Sequence, residues 1–302
     1  MSPGARFRAL LKDGACLVTP GVYDALSARI GEAAGFEALA IGGFGLEATL
    51  LGSPDVGLLT LTELVVAAAR IAGAVGLPVT CDGETGFGGP HNTARLIRRM
   101  EDAGIAGIQI EDQTYPRFAP AAGGRTVAPV EEALDRLRAA MGARRDPDFL
   151  VIARCDADVV SLAEVVERSN RYLAAGADMA MPLCFVVDGR PVTALDADAQ
   201  MEVLERLARG IDGPVKASMI PDGYTAADLG RIGYCVVGLT GGPIEAAASA
   251  LDLAMRELRR TGSEAAYRRA HPPSLSAPGG IAALLGIEGL QTQERRLRDR
   301  DA

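Results

Sequence analysis

Asp82, Glu84, Glu111, Asp112, Arg154 and Asp156 stand at the ends of short apolar runs, and carboxylates are the chemical groups this chain has most of. Histidine occurs only at 91 and 271, lysine only at 12 and 216, and tryptophan not at all. This excludes His-rich metal sites. It leaves little room for a Ser-His-Asp triad, because His271 lies in a Pro-rich stretch and only His91 remains. Proton transfer and metal binding must rest mainly on carboxylates. Crowded carboxylates raise one another's pKa unless something compensates them. A divalent cation does so, and hard oxygen ligands without imidazole or thiol suit Mg2+, with Mn2+ as the second choice. Asp82, Glu84 and Glu111 form the candidate metal set. For any one acid, capping a helix or pairing with arginine is an equal alternative, but for the cluster that alternative weakens.

Other residues at the same run ends have narrower readings. Arg154 has the planar fork that grips a carboxylate or phosphate in a bidentate manner, and its alternative is a salt bridge to Glu111 or Asp82. The run Gly42-Gly43-Phe44-Gly45 offers backbone N–H groups at close approach to an oxyanion. Lys216 has the chemistry for a Schiff base, but its depth in the strand favours a buried, ion-paired lysine. His91 reads as a residue at a helix start, and Cys81, Cys155 and Cys184 as small packing residues, with a reactive thiol at Cys184 or Cys155 as the lesser alternative.

These residues need a scaffold that brings run ends together. Strand-like runs at 16–21, 37–43, 77–84, 105–112, 149–158, 177–184, 213–220 and 234–240 alternate with helical patterns. Asp24 is placed to cap the first of those helices. Repeated strand–helix units build a parallel sheet, and eight of them close a TIM (β/α)8 barrel whose functional residues lie at the C-terminal strand ends. An open doubly wound sheet would need a glycine-rich fingerprint after the first strand, and CLVTPGVYD has a single glycine there. The barrel is assigned to 1–242. Residues 243–302 are assigned to a C-terminal helical extension that serves oligomerisation.

Composition narrows the partners. Lys+Arg 31 against Asp+Glu 39 gives a net charge of −8, so no basic patch awaits nucleic acid. No apolar run approaches the roughly 20 residues that cross a bilayer. An odd cysteine count without a leader-like apolar segment reads as reduced thiols in a cytoplasmic protein.

The chain resembles the isocitrate lyase / phosphoenolpyruvate mutase superfamily, nearer the branch of 2-methylisocitrate lyases and oxaloacetate decarboxylases. The resemblance covers about residues 6–260. It rests on PGVYDALSA (20–28), LGSPDVGLLT (51–60), CDGETGFGG (81–89), MEDAGIAGIQIEDQ (100–113) and VIARCDA (151–157). It implies a barrel whose C-terminal helix is exchanged between subunits of a homotetramer or dimer of dimers. It further implies Mg2+ held by Asp82 directly, with Glu84 and Glu111 near it, and a small-molecule carboxylate, a 2-oxo or 2-hydroxy acid, as substrate. That substrate would lie on Gly42, Gly43, Phe44, Asp82, Arg154 and Ser218. Arg154, Glu111 and Asp55 are the expected catalytic residues, acting on a metal-stabilised enolate.

The departures from the family pattern are specific. Lyases of the superfamily carry Cys-Gly-His on a loop after the fourth strand, and the mutases carry Asn-Ser-Leu. Here the matching positions are Ala119, Pro120 and Ala121. The lyases' glutamate after the sixth strand becomes Leu183, and their asparagine on the seventh becomes Ser218. The expected activity is Mg-dependent carbon–carbon cleavage or decarboxylation of a small 2-oxo or 2-hydroxy di- or tricarboxylate. Phosphonopyruvate-type C–P chemistry is one alternative. A non-catalytic binding protein that has lost the acid is another.

Overall fold

The computed structural model describes residues 1–12, 15–119, 124–272 and 279–298. Eight parallel strands close on themselves: β1 (Leu17–Val22), β2 (Leu39–Ile41), β3 (Val79–Asp82), β4 (Gly107–Glu111), β5 (Leu150–Cys155), β6 (Met179–Pro182), β7 (Val215–Ala217) and β8 (Tyr234–Leu239). β8 pairs with β1, Val236 opposite Leu17, and so completes the TIM barrel expected from the alternation. The strands are shorter than the apolar runs that announced them, because several run ends turn into the rim.

Helices follow the strands where the sequence places caps. Asp24 accepts the Ser27 N–H at 2.6 Å and starts the helix Ala25–Ala33, as its position predicts. Thr60 and Glu63 form a reciprocal capping box at the start of the helix Leu61–Gly73. The helix Pro90–Asp102 opens on a proline and buries Leu96, Ile97 and Met100 on one face. One helix escaped the sequence reading. Pro3–Leu10, capped by Ser2, sends Phe7 into an apolar cluster with Ala38, Ala106, Leu150, Ile152, Met179 and Val236.

That cluster fills the barrel, while a larger one lies between sheet and helices and holds Ile108, Ile110, Val151, Ala153, Val215 and Ala217. Strand side chains alternate between the two faces. The alternation therefore turns Gln109 and Glu111, Ile152 and Arg154, and Lys216 towards the barrel axis. After β8 the chain enters the helix Gly242–Thr261, of which only Ile244 is buried, and Leu251, Leu253, Met255 and Leu258 are exposed. Two shorter helices, Ala265–Ala270 and Gly280–Leu284, and Ile287–Arg298 complete the described chain. Among the described residues no helix is long and apolar enough to cross a membrane.

Candidate active site

The sharp turn after β2 is built on glycine for a steric reason. A Cβ on Gly43 would stand 2.5 Å from Glu84 Oε1, so only glycine lets this backbone approach the acids. The next segment runs through a π-turn over Glu47–Leu51. The buried Glu47 carboxylate then accepts the N–H groups of Val56, Leu58 and Leu59 at 2.9, 2.6 and 3.2 Å. Those bonds fix the loop that carries Asp55. Gly57, at φ +75°, lies under Arg117, whose Cγ would be 2.7 Å from an added Cβ.

Four carboxylates meet at the rim. Asp82 ends β3 and accepts the Glu84 N–H at 3.0 Å. Glu84 has φ +55°, a left-handed conformation that a non-glycine residue adopts at a cost of about 1–3 kcal/mol. Such strain at a rim residue points to a functional constraint. Glu111 ends β4 and is 1% exposed. Asp55 comes in from its loop. Arg117 reaches all but Asp82: Nη1 is 2.6 Å from Glu84 and also contacts Asp55, and Nε donates to Glu111 at 2.7 Å. The sequence reading did not single out Arg117. Its only signal there was its place on a loop leaving β4 six residues after Glu111.

Arg154, from β5, lines the same cavity and is engaged by the protein itself. Nε and Nη2 grip Asp156 at 2.9 Å each, and Nη1 lies 3.0 Å from Glu111 and 3.4 Å from Asp82. The salt bridge weighed as its alternative role is therefore present. Behind it, Arg125 and Gln113 also donate to Asp156, at 3.0 Å each. Burial opposes charge on Asp156, yet Arg154 and Arg125 hold its carboxyl below the usual range.

Burial dominates the other acids. It pushes Glu84 well above the usual carboxylate range, with Arg117 opposing and Asp82 and Glu111 adding to the rise. It lifts Glu111 to about 7 against the pull of Arg154 and Arg117. Neither Glu84 oxygen nor Glu111 Oε2 receives a hydrogen bond. The described residues form no ready-made cage of three metal ligands, and the Arg117 guanidinium lies among the oxygens. Still, four buried carboxylates face two guanidinium groups, Glu84 Oε1 has no partner, and Glu84 Oε2 and Glu111 Oε2 have only an ion pair, an oxygen-rich cluster that matches the needs of a hard divalent cation.

A cavity of about 600 Å3 opens beside the acids. Gly42, Gly43, Phe44, Asp55, Asp82, Arg154 and Ser218 line it, so these predicted site residues share one space. Glu111 is placed against it through Arg154 and Arg117. Glu84 does not line this cavity; it faces a second space of about 800 Å3, beyond Arg117, bounded by Leu58, Phe87 and Tyr115. Ala119 lines the first cavity, where the resemblance places the lyases' thiol. Pro120 and Ala121 lie outside the described residues.

Cys81, Cys155 and Cys184 are buried, and burial first, then nearby carboxylates, raises their thiols, Cys184 to about 12. They are packing residues with little thiolate character. Leu183 and Met181 form an apolar wall opposite the acids. Lys216 departs from its expected ion pair: its Nζ donates to the Gln109 side-chain oxygen, and it makes no salt bridge among the described residues.

An eight-stranded α/β barrel with acids gathered at the C-terminal ends of its strands defines a class of rim-active enzymes. The phosphoenolpyruvate phosphomutase family matches residues 7–259. A 2,3-dimethylmalate lyase of Eubacterium barkeri is 36% identical over 239 residues, covering 78% of each chain. A 2-methylisocitrate lyase of Aeropyrum pernix is 34% identical over 267 residues, 87% of this chain and 82% of that one. Among solved structures, a phosphoenolpyruvate phosphomutase from Streptomyces platensis subsp. rosaceus superposes with a TM-score of 0.85 at 32% identity, covering 97% and 98% of the two chains. A phosphonopyruvate hydrolase complex with oxalate and Mg++ gives 0.82 at 27% identity, covering 98% and 99%. The chain belongs to the phosphoenolpyruvate mutase/isocitrate lyase superfamily and is an enzyme of its lyase kind.

Proposed function

We propose that the protein is a Mg2+-dependent carbon–carbon lyase or decarboxylase acting on a small 2-oxo or 2-hydroxy di- or tricarboxylate. The observation that carries this reading is the group of four buried rim carboxylates, three of whose oxygens accept no hydrogen bond and one of which, Glu84 Oε1, has no partner of any kind, beside a cavity large enough for such an acid. Asp82, Glu84 and Glu111 are the residues to hold Mg2+, or Mn2+ in its place. The bound cation supplies Lewis-acid charge for the oxygen at C2 of the substrate.

The chain's own residues do the rest. Gly42, Gly43 and Phe44 present backbone to the C1 carboxylate. Asp55, Arg117 and Arg154 fix the acids against one another, and Arg154 and Ser218 bound the space for the substrate. With a 2-oxo acid the C3–C4 bond breaks, its electron pair enters the C2 enolate and carbon dioxide leaves. With a 2-hydroxy acid the C2 hydroxyl gives its proton to a rim carboxylate, the C2–C3 bond breaks, C2 leaves as the carbonyl of a 2-oxo acid, and the bond pair stays on C3 as the enolate of the second acid. With Ala119 where the lyases place a thiol, the enolate carbon takes its proton from water. This favours decarboxylation over cleavages that need a protein acid.

The helices after residue 242 are proposed as the assembly segment of a homotetramer or dimer of dimers. The exposed Leu251, Leu253, Met255 and Leu258 support this. Five unbridged thiols support an intracellular setting.

A panel of four- to seven-carbon oxo- and hydroxy-acids, followed by NMR with and without Mg2+, tests the reading. Mg2+-dependent pyruvate release from oxaloacetate or a methylmalate-type acid is expected. Absence of turnover with Mg2+ bound would replace it by the binding-protein reading. Phosphate or phosphoenolpyruvate formed from phosphonopyruvate would replace it by C–P chemistry.

A further inference from the structure

Lys216 is the sole lysine within the barrel and is 1% exposed. It rises from β7 and reaches across the barrel interior to Gln109 of β4. Its nearest partners carry no charge: Gln109 offers a neutral amide oxygen, Gly238 offers no side chain, and Met181 and Leu183 are apolar, while Asp82 and Arg154, of opposite sign, act on it across the cavity without a salt bridge. A Cβ on Gly238 would stand 2.9 Å from Lys216 Cε and 3.2 Å from Nζ, so this glycine keeps the space around the ammonium open. Two residues along, on the same face of the strand line, Ser218 Oγ is buried and has no hydrogen-bond partner. Burial lowers the Lys216 ammonium to about 8, with Asp82 opposing that shift. A buried cation and a buried hydroxyl, both lining one cavity and both short of partners, carry a free-energy cost that an anion placed between them removes.

We propose that Lys216 and Ser218 form the receptor for the second carboxylate of the substrate and so select a dicarboxylate over a monocarboxylate of the same skeleton. The inference rests on the enolate-forming reading of the site and assigns the substrate's far end. The C1 carboxylate and the C2 oxygen go to the glycine turn and the acid side. The remaining carboxylate crosses to β7, along the apolar wall of Met181 and Leu183. Lys216 is thus a specificity-determining residue, with its amide partner Gln109 holding the ammonium in place.

Binding of malate and of 2-hydroxybutyrate tests this, because the two share a skeleton and differ by a carboxylate in place of a methyl group. Isothermal titration is performed on the full chain with Mg2+ present. The wild-type protein is expected to prefer malate by on the order of 100-fold. Lys216→Met should erase that preference by weakening malate on the order of 100-fold while leaving 2-hydroxybutyrate within about 3-fold. Ser218→Ala should weaken malate by about 10-fold, and it guards against a Lys216 variant that fails to fold. Equal affinity of the wild type for both acids overturns the inference and leaves the enolate reading standing. An equal loss of both ligands in Lys216→Met also overturns it, since the lysine would then be structural. Binding of neither acid by the wild type, with Mg2+ bound, overturns the enolate reading itself.

Discussion

The two halves of the barrel rim are opposites. From β3 to β5, Asp82, Glu84, Glu111 and Asp156 crowd together, and the cations beside them, Arg117, Arg125 and Arg154, are each taken up by several acids at once. From β6 to β8, Met181, Leu183 and Gly238 surround one lysine that has only an amide for a partner. One half holds acids in excess of its guanidinium groups, and the other holds a positive charge that no acid bridges, with Asp82 acting on it only from a distance. A ligand bearing both a cation and a far carboxylate would settle both imbalances. The difference teaches that the site is divided by charge before any substrate arrives.

The strongest way to break this division is to remove the acid nearest its middle. Asp82→Ala should lower kcat/KM by on the order of 10^3-fold or more, the several kcal/mol that a positioned metal ion contributes to an oxyanion-like transition state. Mg2+ titration calorimetry should show weakened binding at the same time. Unchanged turnover would remove Asp82 from the metal set. Arg117→Met attacks the same half from the opposite sign, leaving Asp55, Glu84 and Glu111 facing one another. Because truncating one partner of a buried ion pair leaves uncompensated charge, the variant should lose about 3–5 kcal/mol in urea unfolding without Mg2+. Added Mg2+ should restore part of that loss; an unaltered unfolding midpoint would show that the guanidinium does not hold the acids.

A smaller effect sharpens the boundary between backbone and acid. Gly43→Ala places a Cβ 2.5 Å from Glu84 Oε1, so the carboxylate must move. Displacement of a positioned group by about 1 Å costs on the order of 10^2-fold in rate, and steady-state assays should show this in kcat more than in stability. Wild-type kinetics in the variant would mean that Glu84 has room to spare.

Much of this was legible in the sequence, and the limits have physical causes. Alternation of apolar runs with helical patterns announced the barrel, because parallel strands buried on both faces read as continuous apolar runs. Carboxylates at run ends announced the acid half, because C-terminal strand ends share one rim. Arg117 was not legible: its loop has no periodicity, and its three acidic partners come from three separate segments. The partner of Lys216 was hidden for a related reason. Gln109 lies 107 residues away and meets the lysine only across the barrel interior. Composition made an ion pair the expected fate of a buried lysine, and the actual amide partner depends on which residues the strand parity turns inward. The N-terminal helix had its signal, Ser2 before Pro3, but nothing local showed that Phe7 would plug the barrel.

The smallest predicted effect tests the basic half through pH. The groups around the Lys216 ammonium are Asp82 from β3, Gln109 from β4, Arg154 from β5 and Cys235 from β8. Burial first, and Arg154 in the same direction, lower the ammonium from 10.5 to about 8, while Asp82 and Cys235 oppose them. The lysine is therefore charged below about 8 and neutral above it, so its attraction for a carboxylate weakens as pH rises. Malate affinity should be level below that point and fall by about 10-fold per pH unit above it, as a site that binds only in its protonated form requires. The affinity for 2-hydroxybutyrate should lack this limb, and in Lys216→Met the malate curve should lack it too. A limb that persists in Lys216→Met would place the titrating group in the acid half and end the division of the rim by charge.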